Sequence, residues 1–212
     1  MGMQRIAAAL LAAGIFGGWP ASARAVEEQM TAPAKTKQEV LKESMRKLWA
    51  EHVIWTRAYV VADVGGSADA EDVAARLMKN QEDIGAAFAP YYGKASGDKL
   101  AALLKRHISI AAEVVDTAKS RDAAKFHEAD GRWHENARDI AVFLSDANPN
   151  WSKKEIVDMF NEHLALTTKE ASSRLNKKWP DDIVAFDEIL DQMMLMADDL
   201  SNGLIKQFPG QF

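Results

Sequence analysis

The feature that most constrains this chain is a helical pattern that returns on itself at a fixed spacing. At an offset of 56 residues and without a gap, Arg76 matches Arg132, Asn80 matches Asn136, Asp83 matches Asp139 and Ile84 matches Ile140. The same offset carries Leu103 onto Met159, Leu104 onto Phe160 and His107 onto His163. At an offset of 55, Leu48, Trp49, His52 and Val53 fall on Leu103, Leu104, His107 and Ile108. A repeat of this length is one supersecondary unit that buries its apolar face only against its neighbours. The last apolar segment joins the pattern through Asp182-Ile183, echoing the Asp-Ile pair, and through Leu190 and Met193, where the others place histidine.

Helix punctuation fits that reading. Thr36-Lys37-Gln38-Glu39 is a capping box opening a helix with the stripe Val40, Leu41, Met45, Leu48, Trp49, His52, Val53, Thr56 and Val60, ended by Gly65-Gly66. A second helix is expected from about Ala70 to Ala89, stopped by Pro90 and Gly93, and a third from about Ser96. A fourth should run from about Arg121 to the residue before Asn148-Pro149. Ser152-Lys153-Lys154-Glu155 caps a fifth through Leu175, and Pro180 starts a sixth that ends near Gly203 or slightly later. No sustained alternating β-branched run interrupts them. The expected fold is all-α, a compact antiparallel bundle of about six helices with a duplicated hairpin, over residues 36–212.

Residues 1–25 read as an export signal. Arg5 precedes an apolar run from Ile6 to Phe16, and the small-x-small triplets Ala21-Ser22-Ala23 and Ala23-Arg24-Ala25 follow Pro20. The run is shorter than the roughly 20 residues that cross a bilayer. Residues 26–35, polar and holding Pro33, read as a flexible leader. Cleavage near Ala23 or Ala25 delivers the chain to the periplasm or the medium, with no further stretch of membrane-spanning length. The chain has no cysteine, so neither lipid attachment at a lipobox nor a disulfide framework is available. Removal of Arg5 and Arg24 leaves 24 basic residues against 31 acidic ones, a formal charge of −7. That balance argues against nucleic acid, whose binding rests on neutralising phosphates.

The chemistry-bearing residues lie on the apolar stripes. His52, His107 and His163 each fall three residues after a core position, Asn80 and Asn136 sit between core positions, and Asp83 and Asp139 lie one turn further along. A buried imidazole or amide needs partners, because each unpaired group costs roughly 1–3 kcal/mol. Three readings stay open. The constellation is a satisfied polar network of His52, Asn80, Asp83, His107, Asn136, Asp139 and His163 that sets helix register. Or His52, His107 and His163 hold zinc, copper or iron. Or these groups line a small-molecule pocket with Trp49, Trp55 and Phe160. No Glu-x-x-His pair and no His-Glu-x-x-His is present.

His127, Asp130 and His134, flanked by Glu128 and Glu135, share one helical face and read first as a solvated surface. Met193, Met194 and Met196 read as core filling ahead of a copper-binding turn. The other tryptophans, Trp151 and Trp179 among them, suit core and helix ends. The chain has no Cys-x-x-Cys-His, Gly-x-Gly-x-x-Gly, phosphate loop or Gly-x-Ser-x-Gly. No catalytic residue is assigned, and the expected activity is non-catalytic binding of a small molecule, a metal or a protein, with metal binding as the alternative.

Several segments resemble an uncharacterised bacterial family of small helical proteins. They are residues 48–57, from Leu48-Trp49 to Thr56-Arg57, then Asn80-Gln81-Glu82-Asp83-Ile84-Gly85 and Pro90-Tyr91-Tyr92-Gly93. Asn148-Pro149-Asn150-Trp151, Glu162-His163-Leu164 with Thr167-Thr168, Met196-Ala197-Asp198 and Gln207-Phe208 complete the likeness. Members often carry transferred names such as glycosyltransferase or acetylglutamate kinase, and this chain has no nucleotide-binding α/β pattern that supports either. The resemblance implies a shared fold and a shared polar core, without a known activity. The export signal is a departure from the family's usual start near the helical domain.

Overall fold

In the computed structural model, residues 34–212 are described. The export segment and all but the last two residues of the leader lie outside them. Six helices follow one another: α1 (Lys37–Gly65), α2 (Ala70–Tyr92), α3 (Lys94–Ser120), α4 (Ala123–Ala147), α5 (Lys153–Leu175) and α6 (Trp179–Gln207), then a short 3₁₀ turn (Pro209–Gln211). Among the described residues there is no strand, and no helix is long and apolar enough to cross a membrane.

The caps form as the residues dictate. Thr36 Oγ1 accepts from the Glu39 amide at 3.2 Å while Glu39 Oε2 accepts from the Thr36 amide at 2.8 Å. Such a box satisfies two of the amides a helix start leaves open, and losing the cap costs about 1 kcal/mol. Asp122 caps α4 by accepting from the Lys125 amide, and Ser152 caps α5 by accepting from the Glu155 amide at 3.4 Å without the return bond that Glu39 makes to Thr36, so the second expected capping box is only half formed.

One stop signal behaves differently from expectation. Pro90 lies inside α2, which runs on to Tyr92. The proline forfeits one N–H only near the helix end, and the Tyr92 ring, stacked 4.1 Å from Phe88, holds the last turn in place. Gly203 lies inside α6, which ends slightly later, at Gln207. It is a close-approach residue, where a Cβ would run into the Trp151 indole. Gly85 and Gly97 do the same for α2 against α3, each lying where a Cβ would come within 2.5 Å of the other's carbonyl oxygen.

Each helix packs on the next, and α6 returns to α1, closing a ring. α5 also touches α1 and α3 across the middle, so α1, α3 and α5 are the inner members. Their side chains build layers along the axis: Met45, Leu100 and Ile156, then Trp49, Leu104 and Phe160, then the three histidines. Thr56, Ala111 and Thr167 follow one turn on, then Val60, Val115 and Ala171.

The repeat extends to three hairpins. The inner helices close with the same turn: the residue in the left-handed region is Gly66 (φ 66°), Arg121 (φ 56°) and Lys177 (φ 58°). The next amide in each case returns five residues, from Ser67 to Ala62, Asp122 to Thr117 and Lys178 to Ser173. The third hairpin aligns at the 56-residue spacing, which sets Gln192 on Asn136 and Met196 on Ile140. The echo expected at Asp182-Ile183 is therefore out of register.

Candidate functional site: the buried histidine layer

His52, His107 and His163 are all buried and meet near the axis, with the His163 ring 5.7 Å from His52 and 6.3 Å from His107 between centroids. Each sits on an inner helix one turn beyond a residue whose carbonyl receives an amide from the following helix. Asn80 Nδ2 donates to Leu48 O at 3.0 Å, Asn136 Nδ2 to Leu103 O at 3.2 Å, and Gln192 Nε2 to Met159 O at 3.1 Å. The three bonds are the same bond in three hairpins. They lock outer helices α2, α4 and α6 to the inner helix that precedes each.

The amide oxygens differ in what they reach. His107 is satisfied on both sides: Trp133 Nε1 donates to its Nε2 at 3.1 Å, which makes Nδ1 the protonated nitrogen and the donor to Asn136 Oδ1 at 2.9 Å. In the first hairpin Gln81 Nε2 donates to Asn80 Oδ1 at 3.1 Å, so the equivalent oxygen is already engaged. His52 Nδ1 and Gln81 Oε1 are left without partners, as are His163 Nδ1 and Gln192 Oε1. Gln81 lies beside His52, where its amide bears on the imidazole. Burial pushes His52 down to about 4, partly offset by the neighbouring Gln81 amide. Burial and the nearby His52 push His107 down to about 3, and His163 falls well below the ordinary histidine value for the same reasons. All three are neutral imidazoles at pH 7.

The two aspartates expected in this network are elsewhere. Asp83 pairs with Lys79 on its own helix, and Asp139 is exposed, 3.9 Å from Arg106. Three residues beyond each asparagine is 300° of helix rotation, which carries the carboxylate off the buried stripe, and the fourth residue, Ile84 or Ile140, takes the core position. Trp55 is likewise outside the core, with Arg76 5.1 Å above its ring, while Trp49 and Phe160 are buried as expected. His134 pairs with Asn161 at 3.0 Å on the surface, and Met193 and Met196 fill the core.

A second polar cluster escaped sequence reasoning. Arg57 Nη1 reaches Glu170 Oε1 at 2.6 Å and Asp182 Oδ1 at 2.8 Å, Arg57 Nη2 reaches Asp182 Oδ2 at 3.2 Å, and Arg174 reaches Asp182 Oδ2 at 3.2 Å. Glu170 and Asp182 are both 1% exposed, and burial, outweighing Arg57, pushes Glu170 up to about 7. The cluster ties α6 to α1 and α5. No spacing in the chain signals it, because its members come together only when α6 closes the ring. Gln192 did carry a signal, an amide at the 56-residue spacing from Asn136.

Beyond the histidines, Thr56 and Thr167 turn their hydroxyls back to the carbonyls of His52 and His163, both at 2.8 Å. Both threonines, with Val60, Leu77, Ile108 and Trp133, line a small apolar chamber of about 30 Å³. That is room for a single water-sized group. A wider groove of about 330 Å³ opens beside it between the ends of α3, α4 and α5. The two share the walls Val114, Val115, Thr168 and Ala171. No family model, curated protein or solved structure matches the chain.

Proposed function

We propose that this chain is a non-catalytic binding protein of the periplasm that takes a small molecule at the end of the bundle where the inner helices finish. Continuity carries this reading: the groove shares four wall residues with the small apolar chamber, and Trp133 links the chamber wall to His107. On this reading the neutral histidine layer gives the site a rigid floor, and the three hairpins hold it in register. Export rests on the signal pattern of residues 1–25.

A thermal-shift screen of the mature protein against a small-molecule library tests the proposal. Ligands that stabilise the wild type should lose their effect in Ala118→Trp, which narrows the groove from its half-buried rim. A library without a stabilising ligand would sink the reading. So would turnover in an unbiased substrate screen that disappears on replacing a core histidine.

The second reading is a metal centre at His52, His107 and His163, with zinc, copper or iron. It is favoured by three neutral imidazoles, with the His163 ring 5.7 Å from His52 and 6.3 Å from His107 between centroids. Among the described residues no group of three or more His, Cys, Asp or Glu is arranged to hold a metal ion as the side chains stand, so the reading needs the rings to reorient. It requires Trp133 to release His107 Nε2. Elemental analysis of protein from the periplasmic fraction decides it, since stoichiometric metal supports the centre. Metal-free protein that gains no thermal stability from added zinc, copper or iron excludes it.

A further inference from the structure

The groove at the end of α3 has a charge pattern that names a class of ligand, on the binding reading above. Its walls are Val114, Val115, Ala118, Phe126, Ala171 and Leu175, and the charged residues among its lining are Lys119 and Arg121, with no carboxylate. Lys119 is already neutralised, at 2.9 and 2.8 Å from the two oxygens of Asp63. Among the described residues no ion pair engages Arg121, and the adjacent Asp122 is taken by Lys125 at 3.2 Å.

Arg121 is also a residue the backbone disfavours. It occupies the left-handed position, φ 56°, that Gly66 holds without cost in the first hairpin. A non-glycine residue there costs about 1 kcal/mol or more. The third hairpin places Lys177 in the same conformation (φ 58°), so two of the three turns carry a basic residue at the carbonyl end of an inner helix, where a cation is favoured. The turn also closes the helix-end carbonyls nearest the guanidinium, through the amide of Arg121 to Ala118 O and that of Asp122 to Thr117 O. The apolar walls below and the uncompensated cation at the rim are complementary to a molecule with a hydrocarbon chain and a single negative head.

We infer that the groove binds a free, single-chain amphipathic anion, with its chain along Val114, Phe126, Ala171 and Leu175 and its carboxylate or equivalent head on Arg121. The chamber behind Val115 and Ala171 receives the tip of the chain. A volume near 330 Å³ is at the small end of ligand pockets and matches one medium-length chain.

The test is titration of the full mature chain with decanoate and with decanol, read by calorimetry. Decanoate should bind saturably at one site. Arg121→Gln should weaken decanoate about tenfold while leaving decanol within about twofold, and raising salt should narrow the wild type's preference for the anion. Ala118→Trp should remove both ligands with an unchanged circular dichroism spectrum. Decanol binding with no decanoate binding, or an Arg121→Gln variant with unchanged decanoate affinity, would overturn the anionic class and leave the binding reading standing. Failure of both ligands to bind would overturn this inference, and the binding reading then stands or falls on the library screen. Sedimentation with anionic phospholipid vesicles, without a response to dispersed decanoate, would replace the free amphiphile by a membrane surface.

Discussion

Replacing His107 by leucine tests the central packing claim most directly. Leucine is close to imidazole in size, so the change removes hydrogen bonds with little change in volume. It orphans two groups at once, the Trp133 indole N–H and Asn136 Oδ1, both of which His107 satisfies in a site 2% exposed. At about 1–3 kcal/mol for each buried group left unpaired, the variant should lose roughly 2–5 kcal/mol. In a domain of this size each kcal/mol lowers the melting temperature by about 2–4 °C, so the fall should be roughly 5–20 °C. Urea unfolding of the wild type, His107→Leu, Asn136→Leu and the double variant then isolates the pair. The double variant removes both partners together and should be less destabilised than the two single losses added, with a coupling of about 1–3 kcal/mol. Additivity within about 0.5 kcal/mol, or an unmoved midpoint in His107→Leu, would show that no buried bond links these residues.

The pH dependence has a defined sign. His52 and His107 titrate in the folded chain at about 4 and about 3, against about 6.5 when unfolded. The unfolded state therefore binds protons first, and their contribution, full above pH 6.5, is lost as pH falls toward 4, roughly 3 kcal/mol for His52 alone. Glu170, raised to about 7, acts the other way, because its protonation between pH 7 and 4.5 favours the folded state. Melting temperatures of Glu170→Gln should thus fall more steeply from pH 6.5 to 4.5 than those of the wild type, and a flat profile would contradict the buried histidine layer. In the ion cluster, Arg57→Ala leaves Glu170 and Asp182 buried without their shared cation and should cost about 3–5 kcal/mol in denaturant unfolding at pH 7, whereas Glu170→Gln at that pH should change stability by less than about 1 kcal/mol. Gly203→Ala should destabilise by about 1–3 kcal/mol through overpacking on Trp151, and Trp151→Leu in the same chain should recover part of that loss.

Much of the architecture was legible along the chain because its determinants are local. Capping at Thr36 and Ser152 and the stripe carrying His52 depend on residues within a turn or two of each other. The repeat spacing joined His107 to His163 and Asn80 to Asn136, and both pairs proved buried. Pro90 misled because a stop signal is only a preference, and packing around Tyr92 outweighed it. Asp83 and Asp139 share a turn with the buried asparagines, yet 60° of rotation and the cost of burying an unpaired carboxylate keep them at the surface.

What the sequence by itself determined is the six-helix repeat and the list of polar residues on its inner stripes. Tertiary structure alone decided which nitrogen of His107 carries its proton, because Trp133 approaches from the next helix and donates to the other one. It also decided that Arg57, Glu170 and Asp182, separated by up to 125 positions, form one cluster, and that Arg121, which no ion pair engages among the described residues, stands at the mouth of an apolar groove. The cluster depends on ring closure, in which α6 packs back on α1, and the groove on how α3, α4 and α5 meet; no local pattern along the chain encodes either contact.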